Sequence, residues 1–242
     1  MESSIDWCEA NYAFSPYIAE FWNSISSIAM ILLGEIRFYK IASKQFRFVF
    51  HLITAVGIGS FLFHATLNRY TQAMDEVPMV WAAIALFFIM LETRFGPMPK
   101  VAVGFTLYAI FATIMVVAPA SQYQFYVFHG TFGSLEVISI IMIWTIYRAK
   151  KTKIPGLETL FKRGISIYAL AVVCWMVDLH FCNWLSSLPV NPQLHAFWHI
   201  FASIGLLHLF SIVYVDRLEK EGSAPYVSYR YACIPVVNYK AD

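Results

Sequence analysis

Long apolar stretches alternate with short polar ones along almost the whole chain. A membrane-spanning helix needs roughly 20 mostly apolar residues, and seven stretches qualify, at about 21–40, 47–65, 75–93, 101–118, 123–147, 165–185 and 195–215. Proline and glycine punctuate most of the connections between them. The first stretch is the weakest, because its first half is polar and it carries Glu35. The pattern predicts an all-α membrane protein, a seven-transmembrane helix bundle.

The basic residues predict how the seven helices are oriented. With seven crossings, 16 of the 17 Lys and Arg residues fall on one side of the membrane and only Arg69 falls on the other. Cytosolic loops carry the excess of positive charge. We therefore expect a lumenal or extracellular N-terminus and a cytosolic C-terminus. The chain then divides into an acidic N-terminal segment (1–20), a membrane domain (21–217) and a cytosolic tail (218–242).

Composition agrees with a protein that lipid solvates. The chain is 59% hydrophobic and 13% charged, whereas a soluble domain carries about a quarter charged residues. The net charge of +2 and the lack of a basic run interleaved with aromatic residues exclude nucleic acid as a partner. The N-terminus lacks the basic and apolar regions of a cleavable signal peptide, so the first membrane helix is expected to act as an uncleaved signal.

Under this topology, the polar residues of the spans gather at the non-cytosolic end. Ser60 and His64 lie near that end of the second span, and Asp75 opens the third. His195 and His199 lie in the first turns of the seventh span, and the acidic N-terminal segment lies at the same end. Ionisable groups in membrane helices are costly and usually face a cavity, a partner or an ion.

The spacing of these residues predicts a hydrolytic zinc site. His195 and His199 are four residues apart, so both rings project from one helix face. His64 from another helix completes a three-ligand zinc site with its fourth position open for water, and zinc lowers the pKa of that water to about 7. Asp75 is placed to accept the proton, and Ser60 to steady an oxyanion or the water.

The other polar residues of the spans have simpler interpretations. A single membrane histidine more often bonds a backbone carbonyl or another helix, which is the interpretation we prefer for His51, His129, His180 and His208. For Glu136 we expect a buried structural hydrogen bond rather than a catalytic role. Asp178 lies near the same end as the histidines, but its sequence context assigns it no role.

The N-terminal segment raises two further questions. Asp6, Glu9 and Asn11 are closely spaced, and Glu20 follows at the start of the first helix. Such oxygen ligands suit Ca²⁺, but the spacing is not that of an EF-hand, and an exposed acidic segment that caps the first helix explains the same residues. Cys8 and Cys182 both fall on the oxidising side of the membrane, so a disulfide between them is feasible.

Four blocks of the sequence resemble the alkaline ceramidase family: DWCEANY…SPYIAEFWNS, GIGSFLFHATL, QAMDEVPM and LHAFWHI. The resemblance extends from about residue 5 to residue 217. Its motifs are specific in combination, with a serine–histidine pair, an aspartate eleven residues after that histidine, and a late His-x-x-x-His. The family belongs to a broader superfamily of seven-helix membrane hydrolases that includes the adiponectin receptors.

The resemblance implies two metal ions. It implies catalytic zinc held by His64, His195 and His199, with Ser60 and Asp75 beside it. It also implies a structural or regulatory calcium ion, and so favours calcium over a purely acidic segment. The implied calcium ligands are Asp6, the backbone carbonyl of Trp7, Glu9, Asn11 and Glu20, and the family's cysteines match Cys8 and Cys182.

The function implied is hydrolysis of the ceramide amide bond to a sphingoid base and a free fatty acid. The expected setting is the endoplasmic reticulum or Golgi membrane, with ceramide and membrane lipid as ligands and no obligate protein partner. One alternative is a zinc-containing seven-helix receptor resembling the adiponectin receptors, but those have the opposite orientation. Another is a transporter with a His–Asp proton relay, for which paired broken helices or internal symmetry are expected and not seen in the sequence.

Overall fold

The computed structural model describes residues 2–35, 43–118, 123–231 and 233–240 of the chain. In these residues the secondary structure consists of helices and one two-stranded antiparallel sheet. The helices are α1 (Phe21–Ser26), α2 (Ile28–Glu35), α3 (Lys44–Thr66), α4 (Arg69–Phe95), α5 (Pro99–Val117), α6 (Gln124–Lys150), α7 (Leu157–His180), α8 (Cys182–Ser186) and α9 (Leu194–Lys220). The strands are β1 (Ala224–Arg230) and β2 (Ile234–Lys240).

Six of the described helices are long and apolar enough to cross a membrane: α3, α4, α5, α6, α7 and α9. They correspond to the second to seventh predicted spans, with ends displaced by one to eight residues. The protein is therefore a mostly helical, multi-pass membrane protein, as the hydropathy pattern predicts.

The first predicted span differs from the other six. Its described residues form two short helices, α1 and α2, which are separated at Ser27. Local hydrogen bonds explain the break, because Ser26 donates from Oγ to the carbonyl of Asn23 at 3.0 Å and the Ser27 hydroxyl lies 2.9 Å from the same carbonyl. Serine hydroxyls compete with helix hydrogen bonds in this way. Residues 36–42, which include the basic Arg37 and Lys40, lie outside the described residues.

Residues 19–35 run antiparallel along α3. The backbone N–H groups of Ala19 and Glu20 donate to the carbonyls at the C-terminal end of α3, at 3.0 and 2.9 Å. Further along, Gly57 approaches Ile31, and Gly34 approaches Phe50, so closely that an added Cβ would lie 2.7 Å from backbone atoms of the partner helix. The N-terminal segment therefore lies at the C-terminal end of α3, and α2 runs back towards its start.

Two further glycines let neighbouring helices touch at the backbone. A Cβ on Gly59 would lie 2.2 Å from the carbonyl oxygen of Met74 and 2.6 Å from the backbone nitrogen of Asp75 in α4. A Cβ on Gly205 of α9 would lie 2.9 Å from the Cβ of Tyr168 in α7. Small residues permit such close packing of membrane helices. Consequently, Ser60 and Asp75 both lie beside a close backbone contact between α3 and α4.

The central and peripheral helices differ in what surrounds them. In the most apolar part of α9, 67% of the residues are buried, against 17% in α5. Most exposed side chains of α5 are apolar, among them Val103, Leu107 and Ile114. Lipid solvates such a surface, so α5 lies at the edge of the bundle and α9 at its centre.

A β-hairpin follows α9, where the sequence analysis had predicted only a tail. The strands pair from Ala224 opposite Lys240 to Arg230 opposite Ile234. The backbone N–H of Val227 donates to the carbonyl of Pro155 at 3.0 Å, and Val227 joins the same hydrophobic cluster as α7 and α9 residues. The hairpin packs against the helices at the end of the bundle opposite the N-terminal segment.

Candidate metal centre

Three histidines converge at the end of the bundle where the N-terminal segment lies. His64 is in the last turn of α3, and His195 and His199 are in the first two turns of α9. Their candidate ligand atoms all lie within 4.8 Å of one another, and none of the three residues is more than 4% exposed. Within the described part of the chain, they form the group of His, Cys, Asp and Glu side chains that is arranged to hold a metal ion.

The hydrogen bonds of two imidazoles leave one nitrogen on each ring for a metal. Nδ1 of His64 lies 2.5 Å from Oε2 of Glu20, so it carries a proton and donates to the carboxylate. Nδ1 of His199 lies 2.8 Å from Oγ of Ser26. Because the Ser26 hydroxyl donates to Asn23, its oxygen accepts from Nδ1 of His199. Metal-binding histidines usually bond their second nitrogen in this way, and Nε2 of both rings keeps its lone pair.

The third imidazole, His195, is held by the N-terminal segment and by α7. Trp7 stacks on its ring with centroids 3.6 Å apart. Its backbone N–H donates to Asp178 at 3.3 Å, and the backbone N–H of Cys8 donates to the same carboxyl group at 3.2 Å. Nδ1 of His195 is buried without a hydrogen-bond partner. An orphaned nitrogen in a set of three imidazoles fits a zinc site.

Ser60 and Asp75 line the same cavity as His195 and His199. Ser60 is fully buried and accepts a hydrogen bond from Oγ of Ser27 at 3.0 Å. The prediction that Asp75 is the first residue of its helix is wrong. Helix α4 begins at Arg69, so Asp75 lies in its second turn. The helix therefore begins about one and a half turns before the apolar stretch from which it was predicted.

The cavity extends from the histidines into the bundle. It has a volume of about 330 Å³ and is lined mainly by apolar side chains, among them Leu33, Phe128 and Leu209. A few polar groups interrupt this lining, including Ser60, Asp75 and Glu136. Apolar walls with few, fixed polar groups are typical of binding sites for small apolar ligands.

The predicted calcium ligands lie in one stretch of the N-terminal segment. The Glu9 carboxylate accepts hydrogen bonds from the backbone N–H groups of Trp22 (2.7 Å) and Asn23 (2.9 Å), at the start of α1. The Asn11 amide donates to both carboxylate oxygens of Asp6 at 3.2 Å. The two bonds to Glu9 cap the first helix, and such capping is the alternative to calcium that the sequence also allows.

Glu20 connects the predicted calcium ligands to the histidines. One of its oxygens accepts from the backbone N–H of Trp7 at 2.9 Å, and the other contacts His64. Burial and the nearby Glu20 carboxyl group raise the pKa of Asp6 above its ordinary value. Burial raises the pKa of both Glu9 and Glu20 above the usual range, because desolvation disfavours the negative charge. A bound cation would offset that cost.

The two predicted disulfide partners lie next to each other. Cys8 and Cys182 form a disulfide in the structure, with Cα atoms 5.2 Å apart. Cys182 falls within the sixth predicted span (165–185), but it begins α8 and lies outside the membrane helix α7, which ends at His180. The Asn191 side-chain amide adds a hydrogen bond to the carbonyl of Cys8 at 2.6 Å. The N-terminal segment is thereby fixed to the loops around α8.

Several contacts of the site were not predicted from the sequence. Ser26 and Ser27 support His199 and Ser60, and the polar first half of the weakest span was the signal for them. Nothing in the sequence pattern pairs Glu20 with His64. Away from the site, Glu136 bonds Tyr168, as the structural interpretation expects.

Two of the four remaining histidines bond a backbone carbonyl, as the sequence analysis predicts. His129 bonds the carbonyl of Phe125 at 2.9 Å, and His208 bonds that of Ile204 at 2.8 Å. Both carbonyls lie four residues earlier in the same helix. These two histidines therefore have local partners and lie outside the group of three.

Comparison with known proteins places these features in one family. The family model described as Ceramidase matches residues 1–238. An alkaline ceramidase of Arabidopsis thaliana is 33% identical over 244 residues, which cover 97% of this chain and 92% of the plant protein. Alkaline ceramidase 3 of Mus musculus is 28% identical, covering 98% and 92%, and alkaline ceramidase YPC1 of Saccharomyces cerevisiae is 28% identical, covering 90% and 77%. The chain belongs to the alkaline ceramidase family.

Proposed function

We propose that this protein is a zinc-dependent amidohydrolase that cleaves ceramide into a sphingoid base and a free fatty acid. The observation that carries the proposal is the convergence of His64, His195 and His199, from two distant segments, beside an apolar cavity. The names of the relatives support the substrate, since each is called an alkaline ceramidase. A lipid with two long chains suits a cavity that apolar membrane helices enclose.

The three histidines, Asp75 and Ser60 have separate roles in the proposed reaction. Zinc held by the three imidazoles would polarise the amide carbonyl and make hydroxide available near neutral pH. Asp75 accepts the proton of the attacking water and returns it to the nitrogen of the leaving amine. Ser60 donates a hydrogen bond to the oxyanion, and its hydroxyl hydrogen is available because its oxygen already accepts from Ser27. The apolar cavity walls hold the lipid chains and exclude bulk water.

The test is mass spectrometry of purified protein incubated with ceramide, together with measurement of its zinc content. We expect one zinc ion per chain, and loss of both zinc and turnover in His64→Ala and His195→Ala. His180→Gln is the matched control, because His180 is exposed at the end of α7. Equal turnover by His64→Ala and the parent protein would refute the mechanism. A zinc-containing receptor would bind the metal and release no fatty acid.

We also propose that calcium binds Asp6, the carbonyl of Trp7, Glu9, Asn11 and Glu20 and fixes the N-terminal segment. The oxygen-only donor set supports this, as does the desolvation of Glu9 and Glu20. Calcium should raise the melting temperature of the chelator-treated protein, and Asp6→Asn should weaken that effect. No change on adding calcium would count against the site.

For the membrane topology we propose seven crossings, a lumenal N-terminus and a cytosolic hairpin, in the endoplasmic reticulum or Golgi membrane. Helices α1 and α2 are each too short to cross a membrane. The antiparallel course of residues 19–35 along α3 nevertheless supports a first crossing by this segment. Protease protection of tags at the two termini, in sealed vesicles, tests the orientation. Protection of both tags or of neither would exclude an odd number of crossings.

A further inference from the structure

The wall of the cavity contains a buried hydrogen-bond donor that has no role in the fold or in the proposed reaction. Trp7 lines the cavity, and its indole Nε1 is enclosed without a hydrogen-bond partner. Among the residues that the structure describes, the other cavity-lining residue with such an atom is His195, whose free Nδ1 the proposed zinc site explains. The N–H of a buried tryptophan usually has a partner, so the free Nε1 of Trp7 indicates an acceptor that a bound molecule supplies.

Stacking and backbone contacts fix the position of this indole. Its ring stacks on that of His195, with centroids 3.6 Å apart and 20° between the planes. The backbone N–H of Trp7 donates to Glu20 at 2.9 Å, and the next residue, Cys8, is joined to Cys182. An indole N–H donates and cannot accept. The fixed ring therefore offers one donor in one direction, which suits an oxygen atom of the ligand.

Trp7 lies at the outer end of the candidate metal centre. His195 precedes His199 by four residues in α9, which places it about 6 Å nearer the end of the bundle where the N-terminal segment lies. The cavity extends from the histidines in the opposite direction, towards Leu209 and Phe210. A lipid that occupies both regions therefore places its chains in the cavity and its polar end beside Trp7.

We propose that the indole N–H of Trp7 donates a hydrogen bond to the primary hydroxyl of ceramide, on the first carbon of the sphingoid base. The inference rests on the proposed function. In ceramide, the amide nitrogen is attached to the second sphingoid carbon, and the long chain continues from the third. When the amide lies at the histidines and both chains lie in the cavity, the first carbon points away from the cavity and towards the N-terminal segment.

The other oxygen atoms of ceramide fit this donor less well. The carbonyl oxygen of the amide is the atom that the proposed reaction places at the zinc ion and Ser60. The hydroxyl on the third carbon lies on the part of the sphingoid base that enters the cavity. Trp7 is therefore a residue that recognises the head of the substrate, separate from the residues that act on its amide bond.

The experiment compares kcat/KM for ceramide with that for 1-deoxyceramide, in which a methyl group replaces the hydroxymethyl group. A site built to bond a hydroxyl disfavours an analogue that lacks it. A hydrogen bond between neutral groups corresponds to roughly three- to tenfold, and we expect the parent protein to prefer ceramide within that range. Trp7→Phe keeps an aromatic ring on His195 and should bring the ratio close to one, mainly by slowing turnover of ceramide.

Two further variants separate the hydrogen bond from packing. A tryptophan analogue with sulfur in place of the indole N–H, incorporated at residue 7 alone, keeps the shape of the ring and should also bring the ratio close to one. It serves as the test if Trp7→Phe does not fold. Trp184→Phe is the matched control, because Trp184 of α8 is exposed and lies outside the cavity lining. That variant should keep the ratio of the parent protein.

Binding of the two lipids provides a measurement that does not depend on turnover. Zinc-depleted protein supplied with calcium is titrated with radiolabelled ceramide and 1-deoxyceramide. The parent protein should bind ceramide more tightly, again by roughly three- to tenfold. Trp7→Phe should bind the two lipids with nearly equal affinity.

The outcomes distinguish this contact from the proposed function. A parent protein that binds ceramide in preference but hydrolyses neither lipid overturns the proposed function and supports the Trp7 contact. Turnover of both lipids with a ratio near one overturns the contact alone. So does a ratio that is equal in the parent protein and Trp7→Phe, which assigns the indole to packing. If Trp7→Phe slows both lipids equally, the indole acts on the amide group and the proposed contact is rejected.

Discussion

Replacing Gly59 by alanine tests whether the contact between α3 and α4 positions Ser60 and Asp75, the proposed catalytic groups. The added Cβ would lie 2.2 Å from the carbonyl oxygen of Met74 and 2.6 Å from the backbone nitrogen of Asp75, whereas ordinary contacts begin near 3.4 Å. Both neighbours are backbone atoms, so no side chain can turn away. The two helices must separate by roughly 1 Å at this point, and overpacking of this kind costs about 1–3 kcal/mol of folding free energy.

The effect on activity should be comparable in free energy to the effect on stability, since a 100-fold fall in rate corresponds to about 2.7 kcal/mol. Ser60 follows Gly59 directly, and the separation moves Asp75 away from it while α3 and α9 keep the three histidines together. A misplacement of about 1 Å costs on the order of 100-fold in rate. We therefore expect kcat/KM for ceramide to fall about 100-fold in Gly59→Ala, with one zinc ion per chain retained.

The assay is ceramide turnover followed by mass spectrometry, with zinc content and melting temperature measured on the same preparations. Gly104→Ala is the matched control, because a Cβ on Gly104 of α5 meets no atom within 4 Å. That variant should keep full activity and gain up to about 1 kcal/mol from better helix propensity. Turnover of Gly59→Ala within threefold of the parent protein would show that this contact does not position the two residues.

Three further changes probe the surroundings of the site. Glu20→Gln should weaken zinc binding about 10- to 100-fold, measured by competition with a chelator, because the carboxylate orients His64; unchanged affinity would contradict that role. Cys8→Ser should lower the stability of the fold by about 2–4 kcal/mol, read as a lower melting temperature that added reductant does not lower further. Gly156→Ala should speed proteolysis of the hairpin without changing turnover, because Gly156 has a φ of +84° and its Cβ would lie 2.6 Å from the carbonyl oxygen of Val227.

The membrane helices were predictable because each is long enough to satisfy the hydropathy requirement by itself. That requirement fails for residues 21–35, where serine hydroxyls bond the backbone and divide the segment into α1 and α2. It also gives no information on the hairpin. The sequence from Ala224 to Arg230 does alternate between exposed and buried positions, but a seven-residue alternation is a weak signal beside a 27-residue helix.

The sequence predicts which three histidines form the group, but it does not predict the side chains that hydrogen-bond to them. A spacing of four residues brings His195 and His199 to one helix face, and the helix ends bring His64 to the same depth, so the group of three follows from the pattern. The contacts of Glu20 with His64 and of Ser26 with His199 depend on how the N-terminal segment and α1 fold over α3. Hydropathy says nothing about that path.

The N-terminal segment contacts two of the three histidines and is therefore part of the candidate metal centre. Trp7 stacks on His195, and Glu20 bonds His64. Between these two contacts, Cys8 joins the segment to Cys182. Two of the three imidazoles are therefore oriented by a segment that no membrane helix contains. Any change that loosens the segment, whether reduction of the disulfide or loss of the proposed calcium ion, should alter the orientation of these rings before it alters the helices that carry them.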